Sequence, residues 1–577
     1  MNRILTLLFL YTINVGIVSS RVRYIQDFKS DRIFRRLLFG FRNNFPKKLC
    51  KDNDDTNVVE TKAGKIRGAT EKASINGKTV LKYLNIPYAE APVGELRFEK
   101  PVPKKPWRGI KESIDNNISC IQPVFLPKIN MTEDCLILNV WSPHPKPTNA
   151  AVVVFIHGGA FLAGSSHEAN YHGANFVALG DVILVNVNYR LSALGFLTAP
   201  EVGIKGNLAL FDQRLAMKWV KENIKEFGGN PNAITLFGGS AGSACVSAHT
   251  LSEESWPYFD RVIYSSGNML MYWTLSTKAR EKNESENFLK EVNCYNSSNV
   301  LKCLKNNVTT EQLKEVFAEK RDPFTPAVDG DFFKDHPQML FRRGKVKQCP
   351  IIFGTMGSEM YFQTSSILAK TRNITRINRI FNSSIREAFF RHPHYFDVAK
   401  RLYSPKCTPS FVESLKPLVD MLSDWAFTCP MKYEAHQRVL MFPATKVFVF
   451  RYTYPSPEPH AYPVGTYGFA NHGQDYWSIF GLPFKLNFPM EDKILSLRLI
   501  SYFANFAKTG HPNRGKPELP EEFENVNLPN WPLHSPNGEE YLEMQSLNRM
   551  IVKTKLREKY CDFWSTPMYA LYRSAYF

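Results

Sequence analysis

Ile234-Thr235-Leu236-Phe237 runs directly into Gly238-Gly239-Ser240-Ala241-Gly242, a short apolar strand followed by Gly-x-Ser-x-Gly and a helix-compatible stretch. That arrangement is a nucleophile elbow, in which a strained turn exposes a serine oxygen at a helix N-terminus. A second apolar run ends in Ile156-His157-Gly158-Gly159-Ala160, and its paired glycines let backbone N–H groups face a developing oxyanion. The Ala241 amide is the expected third donor, so Gly158, Gly159 and Ala241 form the candidate oxyanion hole. A serine hydroxyl is a poor nucleophile without a histidine base and a carboxylate to orient it. Downstream of Ser240, Glu359 follows the apolar run Ile351 to Phe353, and His472 lies in the Gly-bearing loop Asn471-His472-Gly473. These are the expected acid and base, although His392, His394 and His460 also follow Ser240 and spacing alone does not separate them.

Such groups need a rigid sheet to hold them. From about Val58 onward, short β-branched runs alternate with longer helical patterns, which implies a mainly parallel sheet flanked by helices. The expected strands are 152–156, 182–187, 234–237, 351–353 and 447–452, nearly all apolar as a sheet covered on both faces requires. Helical periodicity marks 208–225, with Leu215, Trp219 and Val220 on one stripe, and 495–506. The fold class is α/β, of the α/β-hydrolase type, with residues 58–577 as one large domain.

The chain has 577 residues, 44% of them hydrophobic, enough for a large core. Arg3 precedes an apolar run, Ile4 to Leu10, that resumes through Val15 to Val18 and ends at Ser19 and Ser20, so residues 1–20 read as a cleaved signal peptide, the continuous apolar part being far shorter than the ~20 residues a bilayer needs. The last residues, Ser574 to Phe577, carry no lipid-anchor or retention signal, and the mature protein is expected to be soluble, secreted and without a stable membrane anchor. Sequons at Asn117, Asn130, Asn283, Asn296, Asn307, Asn373 and Asn382 fit that route. Much of the +18 formal charge lies in the extension over 21–57, where residues 21–50 hold nine Lys or Arg against Asp27 and Asp31. A basic arm on a secreted protein meets anionic glycan or membrane surface more readily than nucleic acid, and a solvated extension is the simplest reading. No cofactor or metal is expected.

The chain resembles the type-B carboxylesterase and cholinesterase family from about Val58 to Phe563. The resemblance rests on Glu133-Asp134-Cys135-Leu136-Ile137-Leu138-Asn139-Val140, the Gly158-Gly159 loop, Asn188-Tyr189-Arg190, Gly206-Asn207 with Asp212-Gln213, Phe227-Gly228-Gly229-Asn230-Pro231, and the elbow. It implies a Ser240, Glu359, His472 triad and disulfides joining Cys120 to Cys135, Cys294 to Cys303 and Cys429 to Cys561. Cys245 is expected to be a buried small hydrophobe, while Cys50, Cys349 and Cys407 stay unassigned. Trp273 and Phe324 resemble acyl-pocket positions. Two departures bear on substrate. The family usually has Glu before the nucleophile, where this chain has Gly239. The loop between Cys120 and Cys135 is short, with Phe125 as its sole aromatic, where a cholinesterase places a tryptophan against the choline ammonium. A third, Met360 in place of a common Gly, adjoins the acid. The expected activity is hydrolysis of neutral, apolar small-molecule esters; the alternatives are a choline esterase and, remotely, a non-catalytic adhesion protein of the same fold.

Overall fold

The central element of the computed structural model is a mixed sheet, eleven-stranded among the described residues. The structure describes residues 57–565, apart from 114–116, 124–129, 320–323, 362–373, 389–393, 405–410, 457–469, 516–517 and 547–548. In chain order the strands are β1 (Ala69–Lys72), β2 (Thr79–Pro87), β3 (Ile137–Pro143), β4 (Ala150–Ile156), β5 (Ile183–Val187), β6 (Gly229–Gly239), β7 (Arg261–Ser265), β8 (Ile351–Met356), β9 (Val447–Tyr452), β10 (Tyr541–Ser546) and β11 (Arg549–Lys553). Across the sheet they run β11-β10-β9-β8-β7-β6-β4-β5-β3-β2-β1. The stretch from β5 through β4 and β6 to β10 is parallel. The antiparallel strands lie outside it, with β3 paired to β5 and β11 to β10.

Why the central strands read as continuous apolar runs follows from what covers them. Val152, Val154 and Ile156 of β4, with Leu236 of β6, belong to one buried cluster; Val153 and Phe155, with Phe237, belong to another on the opposite face. Alternate residues of a strand point to opposite faces, so a sheet buried on both sides has no polar positions to spare. Helix α1 (Leu208–Asn223) covers the first face with Leu210, Met217 and Val220. Leu215, expected on that stripe, is only half-buried and packs at its margin. Helix α4 (Met490–Thr509) covers the second face with Ile500, Phe503 and Phe506, and ends where Gly510 takes a left-handed conformation.

The disulfides implied by the resemblance are present: Cys120–Cys135, Cys294–Cys303 and Cys429–Cys561. Cys245 is a free, buried thiol as expected, and Cys349 is another; Cys50 and Cys407 lie outside the described residues. So do the signal-peptide segment, nearly all of the basic extension, Phe125, Asn373, His392 and His460. Asn117, Asn130, Asn283, Asn296 and Asn307 are exposed, and Asn382 is half-buried. No helix among the described residues is long and apolar enough to cross a membrane.

Candidate active site

Strand β6 stops at Gly239 and helix α2 (Ala241–Thr250) begins one residue later, leaving Ser240 at the hinge with φ 55° and ψ −125°. The conformation is costly for a residue with a Cβ and persists because its surroundings hold it. The Ser240 N–H donates to the Ser265 carbonyl at the end of β7 (2.8 Å), and the Ser240 carbonyl accepts from Ala244 (3.0 Å). The elbow also needs close backbone contact: a Cβ on Gly242 would stand 2.1 Å from the Ile156 carbonyl oxygen.

The other two groups arrive on neighbouring loops. Glu359 follows β8 and His472 follows β9, and a backbone bridge between Ser358 and Asn471 ties the loops together. The Ser358 N–H donates to Ala470 (3.0 Å), while the Asn471 N–H is held by the Gln474 side chain (2.9 Å). His472 Nε2 then lies 2.7 Å from Ser240 Oγ, and its Nδ1 lies 2.6 Å from Glu359 Oε2. Glu359 is fully buried. Burial by itself would raise its carboxyl, but the facing His472 charge and hydrogen bonds from His472, Ser266 and the Met356 amide outweigh that and hold it below the usual carboxylate range. Met360, the residue that departs from the family pattern, is buried with its N–H on Ser423 Oγ (3.0 Å), and leaves the carboxylate where the base can reach it.

After β4 the chain turns through Gly158, Gly159 (φ 108°), Ala160 and Phe161. The amides of Gly158, Gly159 and Ala160 donate to no other group of the described residues. Ala241, as the first residue of α2, carries one of the N–H groups a helix cannot satisfy internally. These amides are the candidate donors for a negative oxygen on a substrate at Ser240: the three expected from sequence, and Ala160. The loop is braced from beneath. His157 Nδ1 contacts the Gly158 carbonyl (2.8 Å), its ring stacks on Tyr189 at 4.5 Å, and burial pushes its pKa down to about 4, so it stays neutral. Gln122, beside Cys120, clamps Gly164 with bonds of 2.9 and 3.0 Å.

Several residues that carry the family resemblance lie in buried ion pairs. Glu133 forms a buried two-bond pair with Arg97 (2.7 Å each), and Asp212 does the same with Arg190 (2.7 and 2.8 Å). Bidentate pairs of this kind fix orientation as well as contributing energy.

The two acyl-pocket candidates separate. Trp273 is half-buried, with its ring 6.2 Å from Phe161 of the oxyanion loop. Phe324 is 2% exposed and packs edge-on against Phe288 at 6.0 Å.

Two residues with no local sequence signal also join the site. Asp475 Oδ2 accepts from Ser265 Oγ (2.6 Å); burial, opposed by that bond and reinforced by the Glu359 charge, raises its carboxyl to about 7. Tyr476 packs directly under the elbow, with its hydroxyl buried.

A parallel sheet that presents a serine on a strand-to-helix hinge, with a histidine and a carboxylate from later strand ends in hydrogen-bonded line, defines a serine hydrolase of the α/β-hydrolase class. The model of the carboxylesterase family matches residues 55–564, and the chain belongs to that family. It is a serine carboxylic ester hydrolase. It is similar to the cholinesterase of Mus musculus, 34% identical over 541 residues, covering 88% of this chain and 86% of that protein. It is also similar to the acetylcholinesterase of Bungarus fasciatus, 31% identical over 547 residues, covering 88% of this chain and 87% of the relative.

Proposed function

We propose that the protein is a secreted hydrolase of neutral, apolar carboxylic esters that works through an acyl-enzyme on Ser240. His472 Nε2 accepts the Ser240 proton as the oxygen attacks the ester carbonyl, and Glu359 stabilises the imidazolium formed. The carbonyl oxygen becomes negative and is met by the amides of Gly158, Gly159 and Ala241, joined by Ala160, each worth roughly 3 kcal/mol of transition-state stabilisation. His472 then protonates the departing alcohol. Water, activated by the same histidine, releases the acid.

The observation that carries the substrate reading is at residue 239. A Cβ there would stand 1.8 Å from the Tyr476 hydroxyl oxygen. Tyr476 is confined by Tyr171, Phe155 and Phe237, with ring centroids at 5.8, 6.2 and 6.4 Å. Its phenol fills the space that a side chain at 239 would need, so the carboxylate usual in the family is missing and its place is closed. A site without that charge has lost part of what would hold a quaternary ammonium.

The second reading, hydrolysis of choline esters, is favoured by the names of the two relatives. Comparing kcat/KM for acetylthiocholine and its uncharged carbon isostere separates the two. The neutral reading expects a ratio near one. A preference for the cation above about tenfold, roughly 1.4 kcal/mol, would establish the choline reading instead.

Secretion is supported by the signal-like residues 1–20, the three disulfides and the exposed sequons. The basic extension over 21–57 suits contact with anionic glycan or membrane surface. Recovery of glycosylated enzyme from the medium of expressing cells tests the first; salt-dependent retention on heparin, lost on deleting 21–57, tests the second.

A further inference from the structure

Helix α3 (Cys429–Met441) carries Cys429, Lys432, Tyr433 and His436 at the i, i+3, i+4, i+7 spacing of a single helical face. That face borders a cavity of about 220 Å³, whose other walls include Leu270, Glu539 and Cys561, the disulfide partner of Cys429. Ser240, Glu359, His472 and the oxyanion amides do not line it. The volume falls below the roughly 300–1,000 Å³ of pockets for drug-sized ligands and suits a smaller molecule.

The charges in the wall are not arranged as an ordinary surface pair. Lys432 Nζ lies 3.1 Å from Glu539 Oε2, and the two side chains are only 10% and 15% exposed. Taking both charges out of water costs more than their attraction returns unless hydrogen bonds satisfy what is left over. Glu539 Oε2 is buried and accepts no hydrogen bond from the described residues. The pair therefore meets without hydrogen-bond alignment, and Lys432 keeps its N–H donors for whatever enters the cavity. One turn further along α3, His436 Nδ1 is buried and also has no partner among the described residues. Buried polar atoms left open call for an explanation, and a ligand that accepts hydrogen bonds supplies one.

The glutamate stands where the backbone resists it. Residue 539 has φ 47°, a left-handed conformation that favours glycine or asparagine. Its N–H donates to the Ser535 carbonyl (3.0 Å), and its carbonyl accepts from the Lys555 N–H (3.1 Å). The turn so fixed sets the carboxylate against Lys432 and keeps the ammonium at the cavity wall.

We propose that this cavity is a second binding site, separate from the catalytic one, for a small carboxylate with an apolar body. The carboxylate takes the Lys432 donors and the His436 imidazole, and the apolar part lies against Leu270, Tyr433 and the disulfide. Asp562, exposed on the same wall, would suit an amine instead, so the test carries both charges.

Isothermal titration calorimetry with phenylbutyrate, phenylbutylamine and phenylbutanol compares three probes of one shape on the wild type and on enzyme whose active site has been blocked by an organophosphate. Phenylbutyrate should bind both forms equally, about tenfold or more tighter than the amine or the alcohol. Lys432→Met alone would strand a buried carboxylate, so it is paired with Glu539→Gln; the double variant should lose the preference for the acid and bind it about tenfold more weakly. Binding that disappears when Ser240 is phosphorylated puts the acid in the catalytic site and overturns the proposal. So do equal affinity for the amine, an affinity for the acid unmoved in the double variant, and no binding to either form. If the double variant does not fold, Ser565→Trp, which fills the cavity from its exposed side, must abolish binding, and binding that survives it overturns the proposal. Failure of the organophosphate to label Ser240 refutes the catalytic reading and leaves the comparison of probes and variants to decide this one.

Discussion

Replacing Glu359 with Gln changes one oxygen to an amino group and little else, yet the structure gives that group no place to go. Oε1 accepts from the Met356 amide (2.7 Å), Ser266 Oγ (2.6 Å) and Thr355 Oγ1 (3.0 Å), while Oε2 faces His472 Nδ1 (2.6 Å). A Gln has one accepting oxygen. Turned toward His472, it sets its amino group against three buried donors, at about 1–3 kcal/mol for each left unpaired. Turned toward the donors, it offers the histidine an N–H, favours the wrong tautomer, and places an Nε2 proton against the serine. The second orientation keeps more hydrogen bonds and disables the base. Carboxylate-to-amide changes in serine triads lower kcat by roughly 10⁴, or about 5.5 kcal/mol. A nitrophenyl ester assay at neutral pH, with circular dichroism to confirm folding, measures the loss. The depressed Glu359 pKa adds a second readout. Its ionised form contributes stability that is full above the unfolded value of 4.5 and disappears as pH falls through the lower folded value. The variant should lack that acid-limb loss. Activity within tenfold of wild type would refute the orienting role.

Other substitutions test the elbow and its surroundings. Gly242→Ala sets a Cβ 2.1 Å from a backbone oxygen that cannot rotate away, and should cost about 1–3 kcal/mol in denaturant unfolding together with activity. Gly239→Ala should destabilise through Tyr476, and adding Tyr476→Leu should recover part of the loss, which a double-mutant cycle reads directly. Asp475 has a pKa raised from 3.8 to about 7, so its contribution to stability is full below 3.8 and lost as pH rises through about 7. Asp475→Asn should therefore lose less stability than the wild type between about pH 4 and 7; equal losses would mean that the carboxyl titrates normally.

The parts of the site legible in the sequence are those whose chemistry is local. The elbow and the Gly158-Gly159 loop announce themselves because strained turns demand glycine within a few residues of the group they present. The strands that carry them were legible because both faces are buried. Strand β3 was not, since its buried Asn139 and Ser142 are satisfied through side-chain bonds to Ser166 and Phe227 and break the apolar run. Strand β6 extends back to Gly229 through polar residues that pattern alone reads as a turn. Chain order and strand ends point to Glu359 and His472, but spacing alone does not separate His472 from the other histidines, because the bridge that joins the two loops spans more than a hundred residues. Asp475 and Tyr476 carry no signal at all: each acts through a contact with a distant segment.

The central claim is that Ser240 is the nucleophile. Reaction with an organophosphate, followed by tryptic digestion and mass spectrometry, should find a single phosphoryl adduct on the peptide spanning 226–261, at Ser240. Ser240→Ala should unfold like the wild type, hydrolyse no ester above a residual rate and take up no label. An adduct on another residue, or labelling that survives in Ser240→Ala, would contradict the account.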